Sequence, residues 1–252
     1  MSHKIALITG ASRGLGKSIA QHLARQGVDI IGTYHSKADE ARALADEIKR
    51  AGGKAAMVQL DVGESAGFGE FAAKVGQVLS AEFSRNQFDF LVNNAGVGLH
   101  AAFAQTTEEQ FELMFKVHLK GPYFLTQKLL PLIADGGRIV NISSGLARFS
   151  FPGSSAYAAM KGGVEVLTRY LAKELGDRGI SANTLAPGAI ETDFSGGMVR
   201  DTPEINRQIA SATALGRVGL PDDIGAAVAS LLAEGNGWIN GQRIEASGGI
   251  FL

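Results

Sequence analysis

Tyr157 and Lys161 are the pair of residues whose types and spacing most directly suggest chemistry. They lie four positions apart in a stretch whose apolar spacing predicts a helix, so the phenol and the ammonium share one face of it. A nearby cation stabilises a phenolate and lowers the pKa of a tyrosine from about 10. A tyrosine with a pKa nearer neutrality can give its proton to a carbonyl oxygen as hydride arrives. The pair alone is a weak signal, because this spacing also arises by chance.

Ser144 follows an apolar strand predicted over 138–142 and precedes Tyr157 by thirteen residues. In a doubly wound parallel sheet, ligands bind beyond the carboxyl ends of the strands. The Ser144 hydroxyl is therefore placed to hold the oxygen of a substrate. A strand-end cap is the alternative, and the serine by itself does not decide between the two.

A glycine-rich turn joins the first predicted strand to the first helix; it reads Thr9-Gly10-Ala11-Ser12-Arg13-Gly14-Leu15-Gly16. Glycine lets the backbone turn sharply and approach a pyrophosphate without a Cβ in the way. The helix N-terminus adds free N–H groups and the positive end of its dipole. The turn predicts dinucleotide binding, and a turn that only packs the helix on the strand is the alternative.

The end of the second predicted strand distinguishes NADP from NAD. A site for NAD carries an acidic residue there, which binds the 2′-hydroxyl of the ribose. Here the strand ends in Tyr34-His35-Ser36-Lys37, and the first acid is Asp39. Ser36 and Asp39 have the spacing of a capping box, which would assign Asp39 to the next helix. Arg13 and Lys37 then remain, beside His35 and Ser36, as cations for a 2′-phosphate, unless both are solvated surface charges. The sequence favours NADP.

Short apolar strands alternate with helical patterns along the chain. Strands are predicted over 5–8, 28–34, 55–60, 88–92, 138–142, 181–185 and 242–245. Helices are predicted after the glycine turn and over 38–51, 64–80, 108–133, 155–176 and 222–233. Apolar strands that alternate with helices indicate a parallel sheet buried on both faces. The predicted fold is α/β, a single-domain Rossmann-type doubly wound parallel sheet of about seven strands over residues 1–252, with helices on both faces.

The stretch 191–215 fits this alternation poorly. Gly196 and Gly197 stand there beside Phe194, Met198 and Val199. This combination predicts a mobile substrate flap with an apolar inner face.

The composition excludes several classes of protein. With 24 Lys and Arg against 25 Asp and Glu, the net charge of −1 offers no basic surface for nucleic acid or an anionic membrane. Without cysteine there is no disulfide framework, thiolate nucleophile or Cys-based zinc site, and no metal is predicted. No apolar run approaches the ~18 residues of a membrane span. The first apolar run, Ile5 to Ile8, is too short for a signal-peptide core, so we expect a cytoplasmic protein.

Together these residues resemble the short-chain dehydrogenase/reductase family. The resemblance covers essentially the whole chain and rests on motifs that occur in the family's order: Thr9 to Gly16, Asn93-Asn94-Ala95-Gly96, Ser144, Tyr157 with Lys161, and Pro187-Gly188. It implies that Tyr157 is the general acid/base and that Ser144 orients the substrate carbonyl. It also implies that Lys161 lowers the pKa of Tyr157 and holds the nicotinamide ribose.

The resemblance assigns the rest of the cofactor site as well. Asp61 would bond the adenine amine with Val62 beside it, and the segment from Asn93 through Ala95 to Gly96 would line the cofactor and steady the central sheet. The nicotinamide carboxamide would be held by Pro187, Gly188, Ile190 and Thr192. Family members are commonly tetramers, which implies a homotetramer built on the helices near 108–133 and 155–176 and on the C-terminal strand.

One position departs from the family pattern. The family usually has a fourth catalytic residue, an asparagine in a segment Asn-x-x-Gly, but here the segment reads His118-Leu119-Lys120-Gly121. The asparagine holds a helix distortion whose freed carbonyl binds a water that leads to the lysine. His118 could do the same, or relay the proton itself, since histidine titrates near neutrality. In the remaining alternative, His118 is a satisfied interior residue and three groups carry catalysis.

The sequence therefore predicts an NADP(H)-dependent carbonyl reductase that acts reversibly as an alcohol dehydrogenase. Its substrate pocket is predicted to be mostly apolar and aromatic, lined by Leu99, His100, Leu146, Phe149, Phe151, Phe194 and Met198. This favours a small-molecule carbonyl or alcohol substrate with hydrophobic or aryl groups.

Two alternatives remain. A 3-oxoacyl-carrier-protein reductase is the nearer one, with Lys128 and Arg178 meeting an acidic carrier, although the near-neutral charge argues against it. The other is a regulatory protein that binds NADP without turnover, supported only by His118 in place of the asparagine.

Overall fold

The strands form one parallel sheet. The computed structural model describes residues 3–252, and within them the strands are β1 (Ile5–Ile8), β2 (Asp29–Tyr34), β3 (Ala55–Gln59), β4 (Phe88–Asn93), β5 (Ile133–Ile142), β6 (Ser181–Pro187) and β7 (Arg243–Ala246). Their order is β3-β2-β1-β4-β5-β6-β7, with every neighbouring pair parallel. β1 therefore lies between β2 and β4, with Ala6 opposite Phe90. The predicted doubly wound sheet is confirmed.

Helices cover both faces of this sheet. They are α1 (Gly14–Arg25), α2 (Ala38–Arg50), α3 (Phe68–Phe83), α4 (Glu108–Phe115), α5 (Gly121–Leu129), α6 (Ser155–Glu174), α7 (Met198–Asp201), α8 (Pro203–Ser211) and α9 (Pro221–Leu231). Successive strand residues point to opposite sides. In β1, Ala6 and Ile8 belong to the core shared with α1, α2 and α9. Ile5 and Leu7 belong to the core shared with α3, α5 and the end of α6.

The largest departure from the predicted elements lies between 108 and 142. One helix is predicted over 108–133, but α4 ends at Phe115, a π-helical turn covers Lys116–Lys120, and α5 ends at Leu129. A 3-10 turn with Pro131 follows, since proline has no N–H to continue the helix. β5 then begins at Ile133 and not at 138; Gly136, at φ +73, interrupts the apolar pattern that predicts a strand. The other predicted elements agree with the structure to within four residues at either end.

The capping box predicted for Ser36 and Asp39 is wrong. α2 begins at Ala38 with Lys37 as its N-cap residue, and the Lys37 side chain makes no capping hydrogen bond. Ser36 lies one position too early for the cap. Asp39 does lie in the first turn, where it pairs with Arg42.

The flap, residues 191–215, contains helices α7 and α8 where no regular element is predicted. Ahead of them, Ser195, Gly196 and Gly197 have left-handed φ values of +52, +71 and +78. Ile190, which precedes the flap, pairs with Gly219, which follows it, and Thr213 near the end of the flap pairs with Ile250. The flap therefore leaves the sheet edge and returns to it.

Within residues 3–252, no helix combines the length and the hydropathy needed to cross a bilayer. The same part of the chain contains no group of three or more His, Asp or Glu side chains that could hold a metal ion.

Candidate active site

Tyr157 and Lys161 lie on α6, one turn apart, as their spacing predicts. The Lys161 Nζ lies 5.5 Å from the centroid of the Tyr157 ring and donates a hydrogen bond to Ile142 O at 2.7 Å. Since Ile142 is the last residue of β5, this bond ties α6 to the carboxyl end of the central sheet. The lysine side chain is buried. The pair therefore occupies the edge where a doubly wound sheet binds its ligands.

Ser144 stands at the same edge, two residues beyond the end of β5. Its Oγ accepts a hydrogen bond from the Leu146 N–H at 3.2 Å and so caps a 3-10 turn. The alternative in which Ser144 is a strand-end cap is therefore correct for this hydrogen bond. The hydroxyl also interacts with the Tyr157 phenol, so the three groups that the sequence singled out converge.

The predicted net lowering of the Tyr157 pKa is wrong for this structure. Desolvation raises the pKa of the phenol above its usual value, and the interaction with Ser144 opposes this only in part. The Lys161 ammonium donates to a backbone carbonyl rather than to the phenol. Burial also lowers the pKa of Lys161 to about 8, so the ammonium is mostly charged at neutral pH. Tyr157 is therefore a neutral phenol, which is the form that can donate a proton.

His118 lies in the π-helical turn and is 1% exposed. Its Nε2 lies 2.7 Å from Val97 O and 3.3 Å from Val97 N; we assign the proton to Nε2 because the shorter contact is to an acceptor, and Nδ1 has no partner among the described residues. The ring meets the Tyr157 ring edge-on at 4.9 Å. Burial, with a smaller contribution from Lys161, lowers the pKa of His118 to about 3. A neutral imidazole in a distorted helical turn favours the alternative in which His118 holds the distortion. It argues against the alternative in which the imidazole relays the proton.

Acid should destabilise the folded chain through His118. Its pKa is about 3 in the folded chain, against about 6.5 in an unfolded one. Between these values the unfolded chain binds a proton that the folded chain excludes. The free energy of unfolding should therefore fall by up to about 1.4 kcal/mol per pH unit as the pH decreases through this window.

Urea unfolding of the wild type and of His118→Asn, at several pH values between about 4 and 7, measures this slope. His100→Asn, which changes an exposed histidine, is the control. The variant at position 118 should show a smaller slope than the wild type. An unchanged slope in that variant would contradict the low pKa.

The glycine turn is held against the end of β4. Asn94 Nδ2 donates to Thr9 O at 2.9 Å and to Gly10 O at 3.2 Å, and Thr9 Oγ1 accepts from Asn94 N–H and Ala95 N–H. Gly10 has φ +68, and a Cβ on it would lie 3.0 Å from Ala95 Cα. A Cβ on Gly16 would collide with Gly10 O. Both positions therefore require glycine.

The first turn of α1 fits a pyrophosphate. Its N-cap residue, Arg13, makes no side-chain cap, and the turn contains no acidic residue. The N–H groups and the positive dipole end are therefore available to an anion. Thr192 lies next to this turn, because a Cβ on Gly14 would lie 3.8 Å from its side chain.

The residues at the end of β2 are exposed, as a 2′-phosphate site requires, but each cation already has an acidic partner. Lys37 Nζ lies 3.6 Å from Glu40, and Arg13 pairs with Asp193 of the flap. His35 Nε2 lies 3.4 Å from Asp61, the predicted adenine ligand. No acid stands at the strand end itself.

The remaining predicted cofactor residues follow the ends of β3, β4 and β6. Asn93 is buried and donates to Asn141 Oδ1 at 2.8 Å and to Thr126 Oγ1 at 3.0 Å, which joins β4 to β5 and to α5. A Cβ on Gly188 would lie 2.9 Å from Ser247 Cα, so β6 and β7 pack closely there. The others lie along the same edge: Val62, Ala95, Gly96, Pro187, Ile190 and Thr192.

The predicted pocket residues are only partly brought together. Phe194 of the flap lies 5.8 Å from the Tyr157 ring, and Leu99 packs beside Tyr157 against the cluster of Met114, Ala156 and Met160. Phe149 instead meets Phe251 at 4.9 Å, a residue that the sequence did not single out. Phe151 is 51% exposed, and His100 lies against Gly153. Leu146 and Met198 are half-buried.

Comparisons with known proteins extend these observations. The family model described as enoyl-(acyl carrier protein) reductase matches residues 10–250. A hydroxynaphthalene reductase-like protein of Metarhizium brunneum is 34% identical over 99% of this chain and 95% of its own.

Two solved structures are also similar. One is the promiscuous reductase LugOII, which catalyses keto-reduction at C1 during lugdunomycin biosynthesis; it is 38% identical, with a TM-score of 0.94 over 100% of this chain and 99% of its own. The other is the angucycline C-6 ketoreductase LanV with bound NADP, which is 34% identical, with a TM-score of 0.93 over the same shares.

Proposed function

Because the chain belongs to the short-chain dehydrogenase/reductase family and its cofactor is NADP(H), we propose that it reduces a hydrophobic or aryl ketone or aldehyde to an alcohol with NADPH. One observation carries this proposal: a neutral, desolvated phenol interacts with a serine hydroxyl one helical turn from a buried ammonium. A neutral phenol suits reduction, in which the group that faces the carbonyl oxygen must give up a proton. The reverse reaction uses the same groups.

In this proposal each of the three groups has one task. The Tyr157 Oη donates its proton to the carbonyl oxygen as that oxygen becomes an alkoxide. The Ser144 Oγ donates a hydrogen bond to the same oxygen and so fixes its position. The Lys161 ammonium faces the developing phenolate and stabilises its charge. NADPH supplies the hydride that the carbonyl carbon receives.

His118 is a positioning group in this scheme. Its Nε2–H donates to Val97 O, and its ring packs edge-on against Tyr157. It therefore holds the segment after β4 and one side of the catalytic phenol. With a pKa of about 3 it does not exchange a proton near neutral pH.

The cofactor site extends along the carboxyl edge of the sheet. The first turn of α1 would bind the pyrophosphate, and the exposed cations Arg13 and Lys37 would bind the 2′-phosphate with His35 and Ser36 beside them. Asp61 and Val62 would face the adenine, and Lys161 the nicotinamide ribose. The rest of the set is Gly10, Ser12, Gly14, Leu15, Gly16, Asn93, Ala95, Gly96, Tyr157, Pro187, Gly188, Ile190 and Thr192.

Removing the Arg13 side chain should lower kcat/KM with NADPH more than with NADH. A charge-assisted hydrogen bond to the 2′-phosphate contributes about 1.5–3 kcal/mol, so Arg13→Ala should lose roughly tenfold or more with NADPH alone. Initial rates with both cofactors measure this. Arg42→Ala, which removes an arginine paired with Asp39 on α2, is the matched control. Equal losses with both cofactors would exclude Arg13 from the 2′-phosphate site.

We place the flap over the substrate as a lid. Phe194 faces the Tyr157 ring, Asp193 pairs with Arg13, and Ser195 contacts Gly98. These contacts reach three separate segments around the crevice. An apolar lid in this position excludes water from the reacting groups.

A homotetramer is the assembly that we propose. Large apolar side chains remain exposed on α4, α5 and α6, and the C-terminal residue is 95% exposed. Exposed apolar side chains in such number on neighbouring helices are what an interface between subunits would cover. The exposed side chains are Phe111, Phe115, Tyr123, Phe124, Val166, Tyr170 and Leu252.

The acyl-carrier alternative retains one specific observation in its favour, the description of the matching family model. The structure weakens the prediction that Lys128 and Arg178 meet an acidic carrier. Arg178 donates to Asp135 at 2.8 Å and to Leu130 O at 3.0 Å. It is therefore already occupied, which leaves Lys128.

Loss of NADPH absorbance with a panel of substrates tests the proposal. The panel pairs each aryl or aliphatic ketone with an acyl thioester of similar length. Faster turnover of the free aryl ketones is expected. Preference for the thioester would identify the acyl-carrier reductase, and NADPH binding without turnover of any substrate would identify the regulatory protein.

A further inference from the structure

Four charged side chains form a linked group next to Ser144, and the function proposed above does not use them: Arg148, Glu165, Arg243 and Glu245. Arg243 Nη1 donates to Glu245 at 2.8 Å, and Arg243 Nε donates to Glu165 at 2.7 Å. Arg148 donates to both carboxylate oxygens of Glu245, at 2.8 and 2.9 Å. Two positive and two negative charges therefore compensate one another in a half-buried group.

The contacts within this group favour the charged forms of Glu245 and Arg243. Burial alone would raise the pKa of Glu245, but the hydrogen bonds from Arg148 and Arg243 lower it below the usual value. The same carboxylates raise the pKa of Arg243 although burial acts in the opposite direction. Paired charges that are partly shielded from water hold one another in fixed geometry more firmly than exposed pairs do.

Arg243 reaches Ser144 directly. Its Nη2 donates to Ser144 O at 3.3 Å, and the same carbonyl also accepts from the Ala147 N–H at 3.1 Å. The backbone of Ser144 is therefore fixed by a strand that lies two positions away in the sheet.

Arg243 also reaches the preceding residue through Glu165. The carboxylate that accepts from Arg243 accepts from Ser143 Oγ as well, at 2.7 Å. Ser143 is buried, and its Oγ lies 3.5 Å from Lys161 O on the same helix as Glu165. One guanidinium thus holds two consecutive serines between β5 and α6.

We infer that Arg243 is a positioning residue that fixes the Ser143–Ser144 backbone so that the Ser144 hydroxyl meets the substrate carbonyl. This inference rests on the proposed function, because it gives Ser144 a substrate to orient. Arginine suits the position because its planar fork serves Glu165, Glu245 and Ser144 O at the same time. A lysine offers one nitrogen in place of three and cannot reach all of them.

The first experiment compares Arg243→Gln with Arg178→Gln. Arg178 binds one carboxylate and two carbonyl oxygens, where Arg243 binds two carboxylates and one carbonyl oxygen, and the side chains of Arg243 and Arg178 are 24% and 32% exposed. Both substitutions should lower the midpoint of thermal unfolding. Only Arg243→Gln should lower kcat, by roughly tenfold to a hundredfold, because a small misplacement of an orienting group is that costly to the reaction. The Kd for NADPH should stay within about twofold of the wild-type value in both variants.

The second experiment asks whether Arg243 acts through Ser144. Substitutions of residues that act as a unit are not additive. Arg243→Gln should therefore lower kcat strongly in the wild type but by less than about twofold in a Ser144→Ala background. Glu165→Gln, which keeps the shape of the side chain and removes its charge, provides the same comparison if Arg243→Gln does not fold.

The possible outcomes test the role of Arg243 and the role of Ser144 separately. Equal losses of kcat in both backgrounds, or a loss no larger than that of Arg178→Gln, would overturn the positioning role of Arg243. Wild-type kcat in Ser144→Ala alone would instead overturn the role of Ser144 in the proposed function. A fall in NADPH affinity that accounts for the whole effect of Arg243→Gln would also overturn the inference.

Discussion

Replacing Tyr157 with phenylalanine should lower kcat for ketone reduction by about a hundredfold or more while NADPH still binds with near-native affinity. The substitution removes the only proton donor that we assign to the carbonyl oxygen. It retains the aromatic ring, which packs against His118 at 4.9 Å and Phe194 at 5.8 Å. The site should therefore keep its shape and lose its chemistry.

Steady-state rates with an unactivated ketone, together with NADPH titration by fluorescence, measure the two quantities separately. Tyr170→Phe is the matched control, because Tyr170 lies on the same helix, α6, and is 63% exposed. It should keep wild-type kcat. If the Tyr157 variant retained most of its turnover, another group would have to donate the proton.

Replacing Lys161 with methionine should also lower kcat by about a hundredfold, and it should weaken NADPH binding as well. The ammonium both stabilises the phenolate and faces the ribose in the proposed function. The same change should not lower stability at neutral pH. The pKa of Lys161 is about 8, below its usual value near 10.4, so the folded chain disfavours the charged form.

This shift fixes the sign of a pH effect on stability. Between pH values of about 8 and 10.4 the unfolded chain keeps a proton that the folded chain releases, so the wild type should gain up to about 1.4 kcal/mol per pH unit as the pH rises. Urea unfolding of Lys161→Met at neutral and alkaline pH should show no such gain. Lys173→Met, an exposed lysine of α6, should behave like the wild type. A methionine variant markedly less stable than the wild type at neutral pH would show that the Lys161–Ile142 bond outweighs the desolvation of the charge.

Local patterns predicted the framework of the site because each depends on neighbours in sequence. The glycine turn, the serine after β5 and the tyrosine–lysine spacing each occupy one short segment, and each lies at the sheet edge where it was expected. The helix predicted over 108–133 was wrong because apolar spacing continues through a π-helical turn and a proline.

Solvation and distant partners were not predictable in this way. The spacing of Tyr157 and Lys161 places them together but does not reveal how much water reaches the phenol, so the direction of its pKa shift was wrong. Arg13 looked like a free cation until the flap brought Asp193 beside it. Arg243 and Glu165 meet only because the fold places both β7 and α6 against β6, and nothing near either residue in the sequence indicates the contact.

The position of β1 in the sheet has a consequence for synthesis of the chain. β1 can pair with β2, and β2 with β3, once Gln59 has emerged from the ribosome, but the other edge of β1 waits for β4, which ends at Asn93. At a synthesis rate of 5–20 residues per second, that interval lasts roughly 2–7 s. During it the apolar strand Ile5–Ile8 presents unpaired N–H and C=O groups, which can pair with another nascent chain. Chains that terminate before Phe88 are therefore expected to aggregate, and co-translational protection of this edge is needed while residues 60–93 are translated.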